Sequence, residues 1–99
     1  MTGKLNAQTG KRDELVEILL SASRVVAQLP GCHAYIVNED VVDETCVWVF
    51  EMWNDKDAHD SSLKDERVKS LIAEAMPLVG GAPSGVELRV AGGHGINPS

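Results

Sequence analysis

The chain has 99 residues, 43% hydrophobic and 24% charged, a balance typical of one globular domain that excludes disordered and fibrous proteins. Its formal net charge is −6 and no basic cluster offsets it, so nucleic-acid binding is not expected. No apolar run approaches the ~20 residues that cross a bilayer, and no apolar leader opens the sequence. We therefore expect a single domain over residues 1–99, with residues 91–99 as a tail, in the cytoplasm and without a membrane partner.

The first two predicted elements are a weak strand at residues 4–8 and a long helix that begins after Thr9-Gly10. Apolar residues recur in the helix at intervals of three and four and form one stripe. That stripe comprises Leu15, Ile18, Leu19, Ala22, Val25, Val26 and Leu29. The helix is expected to end at Leu29, because Pro30-Gly31 cannot continue it.

Two runs rich in β-branched and aromatic residues follow, at residues 32–37 and 45–53. The short acidic segment between them predicts an antiparallel hairpin with its turn centred near Val42. In that register Tyr35 faces Val49, and His33 faces Glu51.

The two cysteines, Cys32 and Cys46, would then lie ~20 Å apart along the hairpin. A disulfide requires Cα atoms within ~7 Å, so both thiols are expected to be free. There is no CxxC spacing, and the three histidines lie in unrelated segments, so we expect no metal site.

The last part of the chain predicts a short helical turn through His59, a second long helix from about Ser61 to Pro77, and a final strand. Val86, Leu88 and Val90 alternate with polar or small residues in that strand. The order β-α-β-β-α-β is the split βαβ plan of a ferredoxin-like α+β sandwich.

The third strand is apolar on both faces, whereas a sheet covered by helices on one side needs an apolar surface on that side only. Beyond the helices, Trp48, Phe50, Met52, Ile36 and Ala34 would form an exposed patch that monomers rarely tolerate. We therefore expect a homodimer in which two sheets pack about a two-fold axis. The alternative is one buried face with a few stray surface aromatics.

With these elements placed, the sequence resembles the antibiotic biosynthesis monooxygenase (ABM) domain family over most of its length. The strings that carry the resemblance are Gly10-Lys11-Arg12-Asp13-Glu14-Leu15, Pro30-Gly31-Cys32 followed by Tyr35, Phe50-Glu51-Met52-Trp53, Asp57-Ala58-His59-Asp60-Ser61-Ser62-Leu63, Pro77-Leu78-Val79 and Gly92-Gly93-His94-Gly95-Ile96. The segment around His59 is similar to a quinol monooxygenase-like subgroup. The resemblance implies a dimeric α+β barrel and the oxidation of quinols or phenols by O2, with no flavin, metal or heme as cofactor.

The sequence also departs from the family pattern. Ser62 and Arg67 stand where many members carry histidines. Leu63 or Lys64 falls where a heme-degrading branch places its axial histidine, so heme ligation is not expected.

Two residues are candidates for catalysis. His59 could remove a phenolic proton near neutral pH, because imidazole serves as a base there; the alternative is a surface or capping histidine. Glu51 stands in an apolar strand, where burial makes a carboxylate a candidate general base; the alternative is a structural ion pair or hydrogen bond.

Four further residues are candidates for substrate binding: Trp53, Tyr35, His33 and Asn6. A flat aromatic ligand could stack on Trp53 and Tyr35 in a pocket between sheet and helices, although Trp53 could equally be core. Asn6 could hydrogen-bond a substrate carbonyl. For His33 the alternative is a side chain on the strand that has no functional role.

The sequence thus favours a cofactor-independent monooxygenase that oxidises a quinol or polyphenol with O2. The alternatives are a non-catalytic dimeric module that binds a small aromatic metabolite, and a heme-binding relative.

Overall fold

A computed structural model of the protein describes residues 1–95. Its elements are β1 (Thr2–Asn6), α1 (Arg12–Val26), β2 (Cys32–Glu39), β3 (Cys46–Trp53), α2 (Lys56–Ser62), α3 (Glu66–Ala75), a 3-10 turn (Met76–Leu78) and β4 (Ser84–Val86). This arrangement confirms the predicted ferredoxin-like α+β fold. Residues 96–99 of the predicted tail, including Ile96 of the last quoted string, lie outside the described residues.

The four strands form one antiparallel sheet in the order β2-β3-β1-β4. The helices pack on one face of it, because α1 presents the predicted apolar stripe and buries Leu15 completely. Leu15 meets Val47 of β3, Ala75 of α3 and Val79 in the main core. No helix within residues 1–95 has the length and apolar character needed to cross a membrane.

The predicted register of the β2–β3 hairpin was wrong by two residues. Tyr35 faces Glu51 rather than Val49, and His33 lies at a bulge instead of facing Glu51. The Asp40 carboxylate accepts hydrogen bonds from the backbone N–H groups of Val42 and Asp43, at 2.8 and 2.9 Å. These bonds place the centre of the turn further along the chain than predicted. Because a slip of two residues leaves every side chain on its own face, the predicted faces of β3 are unaffected.

Four predicted elements also had wrong boundaries. The first strand is Thr2–Asn6 rather than residues 4–8. The first helix ends at Val26 and continues only as turns to Leu29. The second long helix begins at Glu66, because the Asp65 carboxylate accepts from the backbone N–H groups of Arg67 and Val68 and starts a new helix there. The last strand stops at Val86, so Leu88 and Val90 lie outside it and are exposed.

The face of the sheet opposite the helices is open in the single chain. Ile36 and Phe50, which face each other across β2 and β3, are 51% and 45% exposed. Trp48 and Met52 lie half-buried on the same face. The exposed patch expected from the sequence is therefore present. Cys32 and Cys46 are both free, as predicted.

Candidate active site

Glu51, Trp53 and His59 form a cluster where β3 ends and α2 begins. Glu51 and Trp53 follow Val47 and Val49 on the helix-facing side of β3, since side chains alternate along a strand. The Trp53 indole N–H donates to Glu51 Oε1 at 3.1 Å, and His59 Nε2 lies 3.8 Å from the same oxygen. The Trp53 and His59 rings meet edge to face, with centroids 5.8 Å apart.

The position of His59 follows from the start of α2. The Asp55 carboxylate caps this helix by accepting from the backbone N–H of Ala58 at 2.8 Å, so the first turn begins immediately after β3. One turn is then enough to bring the imidazole back over the end of the strand. Its side chain is only 15% exposed, and that of Glu51 is 16% exposed.

The second nitrogen of His59 is held by Asp60, a residue that the sequence reasoning missed. Asp60 Oδ1 lies 3.1 Å from His59 Nδ1, and Lys56 Nζ lies 2.8 Å from Asp60 Oδ2. The hydrogen bond from Lys56, followed by that from His59, holds the pKa of Asp60 below its ordinary value. An ionised carboxylate only accepts, so Nδ1 carries the proton and Nε2 is free to act as the base. The signal in the sequence was the four-residue spacing of Lys56 and Asp60 beside a histidine.

Tyr35 approaches the cluster from the neighbouring strand, directly opposite Glu51. Burial, and then the charges of Glu51 and Cys32, raise the pKa of the Tyr35 hydroxyl. Burial and the Glu51 charge likewise raise the pKa of the Cys32 thiol. Both groups are therefore protonated around Glu51 at neutral pH.

Two cavities meet at this cluster. The larger one, about 700 Å³, is bounded by the end of β3, the start of α2 and residues 87–90, and Trp53 forms part of its wall. The smaller one, about 120 Å³, lies between α1 and α3 and is bordered by Tyr35. Glu51 and His59 line both cavities. The single pocket expected between sheet and helices is thus divided, with Trp53 on one side and Tyr35 on the other.

The other two predicted site residues lie away from the cluster. His33 is exposed at the bulge of β2, where its ring contacts the side-chain oxygen of Asn54. Asn6 pairs with Cys46 at the far end of β3, about 17 Å along the strand from Glu51 at the usual rise per residue. Within residues 1–95, no three His, Cys, Asp or Glu side chains are grouped as a metal site would require.

The arrangement can bind a small aromatic molecule and take a proton from it. A volume of about 700 Å³ is in the range of small-molecule sites, and its wall combines an indole, a base and a carboxylate. A proton accepted by His59 Nε2 would be stabilised by Glu51 on one side and by Asp60 on the other. The protein is therefore a ferredoxin-like domain that carries an acid–base cluster at the edge of a cavity.

Comparison with known proteins identifies the family. The sequence pattern of the family described as antibiotic biosynthesis monooxygenase matches residues 1–74, so the chain belongs to the ABM family. It is 33% identical to a proposed antibiotic biosynthesis monooxygenase of Chloroflexus aurantiacus J-10-fl, whose crystal structure superposes with a TM-score of 0.80 over 97% of this chain and 95% of that one. No curated protein matches the sequence significantly.

Two further solved structures share the fold. A proposed family member from Caulobacter crescentus CB15 is 27% identical, with a TM-score of 0.77 over 84% of this chain and 79% of that one. Another, from Nitrosomonas europaea, is only 12% identical but has a TM-score of 0.82 over 86% and 82% of the two chains. The architecture is thus retained across sequences that share few residues.

Proposed function

We propose that this protein is a cofactor-independent monooxygenase that oxidises a quinol or another phenolic small molecule with O2. Membership of a monooxygenase family supports the reaction class. The observation that carries the proposal is that His59, Glu51 and Trp53 border one cavity of about 700 Å³. A base, a countercharge and a flat aromatic wall are what the oxidation of a phenol requires.

The substrate ring lies against the Trp53 indole, where an aromatic contact contributes roughly 0.5–1.5 kcal/mol beyond area burial. Leu88 and Val90 add apolar surface from the segment after β4. The substrate hydroxyl points at His59 Nε2, which takes its proton. The imidazolium so formed lies between the carboxylates of Glu51 and Asp60, at 3.8 and 3.1 Å. That placement sets two carboxylates beside the imidazolium that the proton transfer creates.

The phenolate supplies the electrons for the oxygen chemistry. One electron passes from it to O2, and the resulting radical pair combines to form a carbon–oxygen bond, giving a peroxide that takes up a proton. The C–H bond at that carbon then breaks, its proton passes to the base, and its electron pair forms the carbonyl. The O–O bond breaks in the same step and releases hydroxide, which leaves as water after protonation. One oxygen atom enters the quinone product and the other enters water.

The active form in this proposal is a homodimer. The open face around Ile36 and Phe50 is apolar and half exposed in the single chain, and a second copy placed on it would bury both side chains. This packing stabilises β3, the strand that carries Glu51 and Trp53 at its end.

The test is O2 uptake by the purified protein with a panel of quinols, measured with chelator present. His59→Ala is expected to lower the rate about 10²–10⁴-fold, the usual contribution of a general base. His33→Ala is the matched control, because its ring is exposed at the bulge and contacts Asn54. Equal rates for the wild type and a His59→Ala, Glu51→Ala double variant would contradict the proposal. A ligand that raises the Tm without being consumed would favour a binding module instead.

A further inference from the structure

We propose that the smaller cavity, between α1 and α3, is a binding site for O2 that delivers the gas to the His59–Glu51 cluster from the side opposite the substrate. This inference rests on the proposed monooxygenase function, and it assigns to each cavity one of the two reactants. The larger cavity takes the aromatic ring, and the smaller one takes the gas.

The chemistry of the cavity wall suits an apolar guest. Every residue that α1 and α3 contribute to the wall is aliphatic, and four of these, Ala22, Val26, Val68 and Ala75, are at most 8% exposed. The mouth is formed by longer aliphatic side chains such as Ile72, which is 43% exposed. The polar residues of its wall, Tyr35, Glu51, His59 and Ser62, come from the sheet and from α2.

The interior offers little to hold water. Ser62 is buried, and its hydroxyl already donates to the carbonyl oxygen of His59 at 2.5 Å. Throughout the part of the chain that the structure describes, every fully buried side-chain N or O atom has a hydrogen-bond partner. An ordered water needs about two to four polar partners, and the residues that α1 and α3 contribute offer none, so the part of the cavity between these helices stays dry, as apolar cavities do.

The size of the cavity distinguishes O2 from the ring. Apolar cavities of about 150 Å³ bind benzene or xenon, and this one measures about 120 Å³. It therefore accepts a diatomic gas easily, whereas a substituted quinol has to occupy the larger cavity of about 700 Å³. O2 is apolar, so moving it from water into a dry aliphatic cavity is favourable.

The position of the cavity suits the delivery of O2 to the catalytic base. Glu51 and His59 separate the two cavities and line both, so O2 held in the smaller one lies directly behind the base that creates the phenolate. A ring bound against Trp53 blocks the larger cavity to a second reactant. A separate apolar entrance between α1 and α3 lets O2 reach the site after the substrate has bound.

The first experiment detects O2 directly by methyl NMR, because dissolved O2 is paramagnetic and accelerates the relaxation of nearby protons. Val68 lines the cavity, whereas Val49 lies under the helices and is absent from both cavity walls. Both valines are 5% exposed, so they are a matched pair for access from bulk solvent. Under elevated O2 pressure, the methyl relaxation of Val68 and Val26 should rise several-fold more than that of Val49 and of the fully buried Leu15. Equal enhancements would overturn the proposal, whether or not the protein oxidises any quinol.

The second experiment fills the cavity. Ala22→Leu places new methyl groups between α1 and α3, and Ala73→Leu is the control, because Ala73 is exposed on α3 and outside the cavity. Ala22→Leu should raise KM for O2 several-fold and leave KM for the quinol unchanged, while Ala73→Leu changes neither. Leu71→Phe fills the same cavity from the other helix and serves if Ala22→Leu does not fold.

A rise in KM for the quinol instead of O2 would show that the cavity holds part of the substrate, and would overturn the assignment. An unchanged KM for O2 in a folded, filled variant would overturn the delivery role. If no quinol is oxidised but the Val68 methyl groups still report O2, the gas site stands and the proposed function fails.

Discussion

The homodimer can be tested at Phe50, in the middle of the open sheet face. Replacing Phe50 with lysine puts a charge at the proposed interface, and the two-fold axis places that charge in both copies. The substitution leaves the helix-covered core untouched, because Phe50 is 45% exposed in the single chain. We expect Phe50→Lys to convert the dimer into a folded monomer.

The expected magnitude follows from the exposed area. A phenylalanine side chain presents about 200 Å². The exposed 45% therefore amounts to about 90 Å² in each copy, or about 180 Å² for the dimer. At about 25 cal/mol per Å², losing this burial weakens association by up to about 4.5 kcal/mol. Since each 1.4 kcal/mol is about a factor of ten, Kd for the dimer rises by roughly a thousandfold.

The assay is sedimentation velocity or light scattering across a micromolar concentration series. Val42→Lys is the control, because Val42 is 88% exposed on the β2–β3 turn and lies outside the open face. The wild type and Val42→Lys should sediment as dimers, and Phe50→Lys as particles of 10.6 kDa. Wild-type particles of that mass at every concentration would contradict the proposed homodimer, because the apolar face would then be stable in water.

Three further predictions concern single groups. Glu51→Gln should lower the pKa of Tyr35, because the Glu51 charge raises that pKa. Burial should still keep the pKa above its ordinary value. Tyr35 is the only tyrosine in the sequence, so the absorbance titration of tyrosine reports on this residue alone. Hydrogen bonds from the Asp43 backbone, the Trp48 indole and the Val42 backbone hold the pKa of Asp40 at about 2. Its stabilising effect should thus be complete above pH ~4 and be lost as the pH falls through about 2, as followed by carboxyl NMR and thermal unfolding. Gly31→Ala should cost about 2–4 kcal/mol in chemical unfolding, because Gly31 has φ of +87° and a Cβ there would lie 2.7 Å from that of Ala58.

Each of these predictions has a control and a contrary outcome. Glu17→Gln, on the exposed side of α1, should leave the tyrosine titration unchanged, and an equal shift in both variants would point to net charge alone. Asp40→Asn should lose its difference from the wild type below pH ~2, and a full difference that persists there would exclude ionisation as the cause. Gly10→Ala should cost only about 1 kcal/mol, since Gly10 also has positive φ but nothing lies within 4 Å of its Cβ. Equal costs at both glycines would mean that the contact with Ala58 contributes nothing.

The pairing of site residues was predictable only in part. Glu51 and Trp53 share a face because strand alternation is local, and His59 follows β3 closely enough to reach them. The role of Asp60 depends on which way the His59 ring turns, and only the packing of α2 against β3 settles that. His33 was placed opposite Glu51 by the incorrect register, and Asn6 was a candidate only for the hydrogen-bonding capacity of its side chain on the first strand.

The order of the elements, the apolar stripe of α1 and the two-sided character of β3 could be predicted from the sequence, because each follows from the local spacing of apolar side chains. The hairpin register could not, since two registers that differ by two residues place the same side chains on the same faces. Only the tertiary structure decided that register, and it also decided the break before Glu66, where the side chain of Asp65 caps a new helix. The division of one expected pocket into two cavities likewise arose from tertiary packing, because it depends on how closely α1 and α3 approach above Glu51.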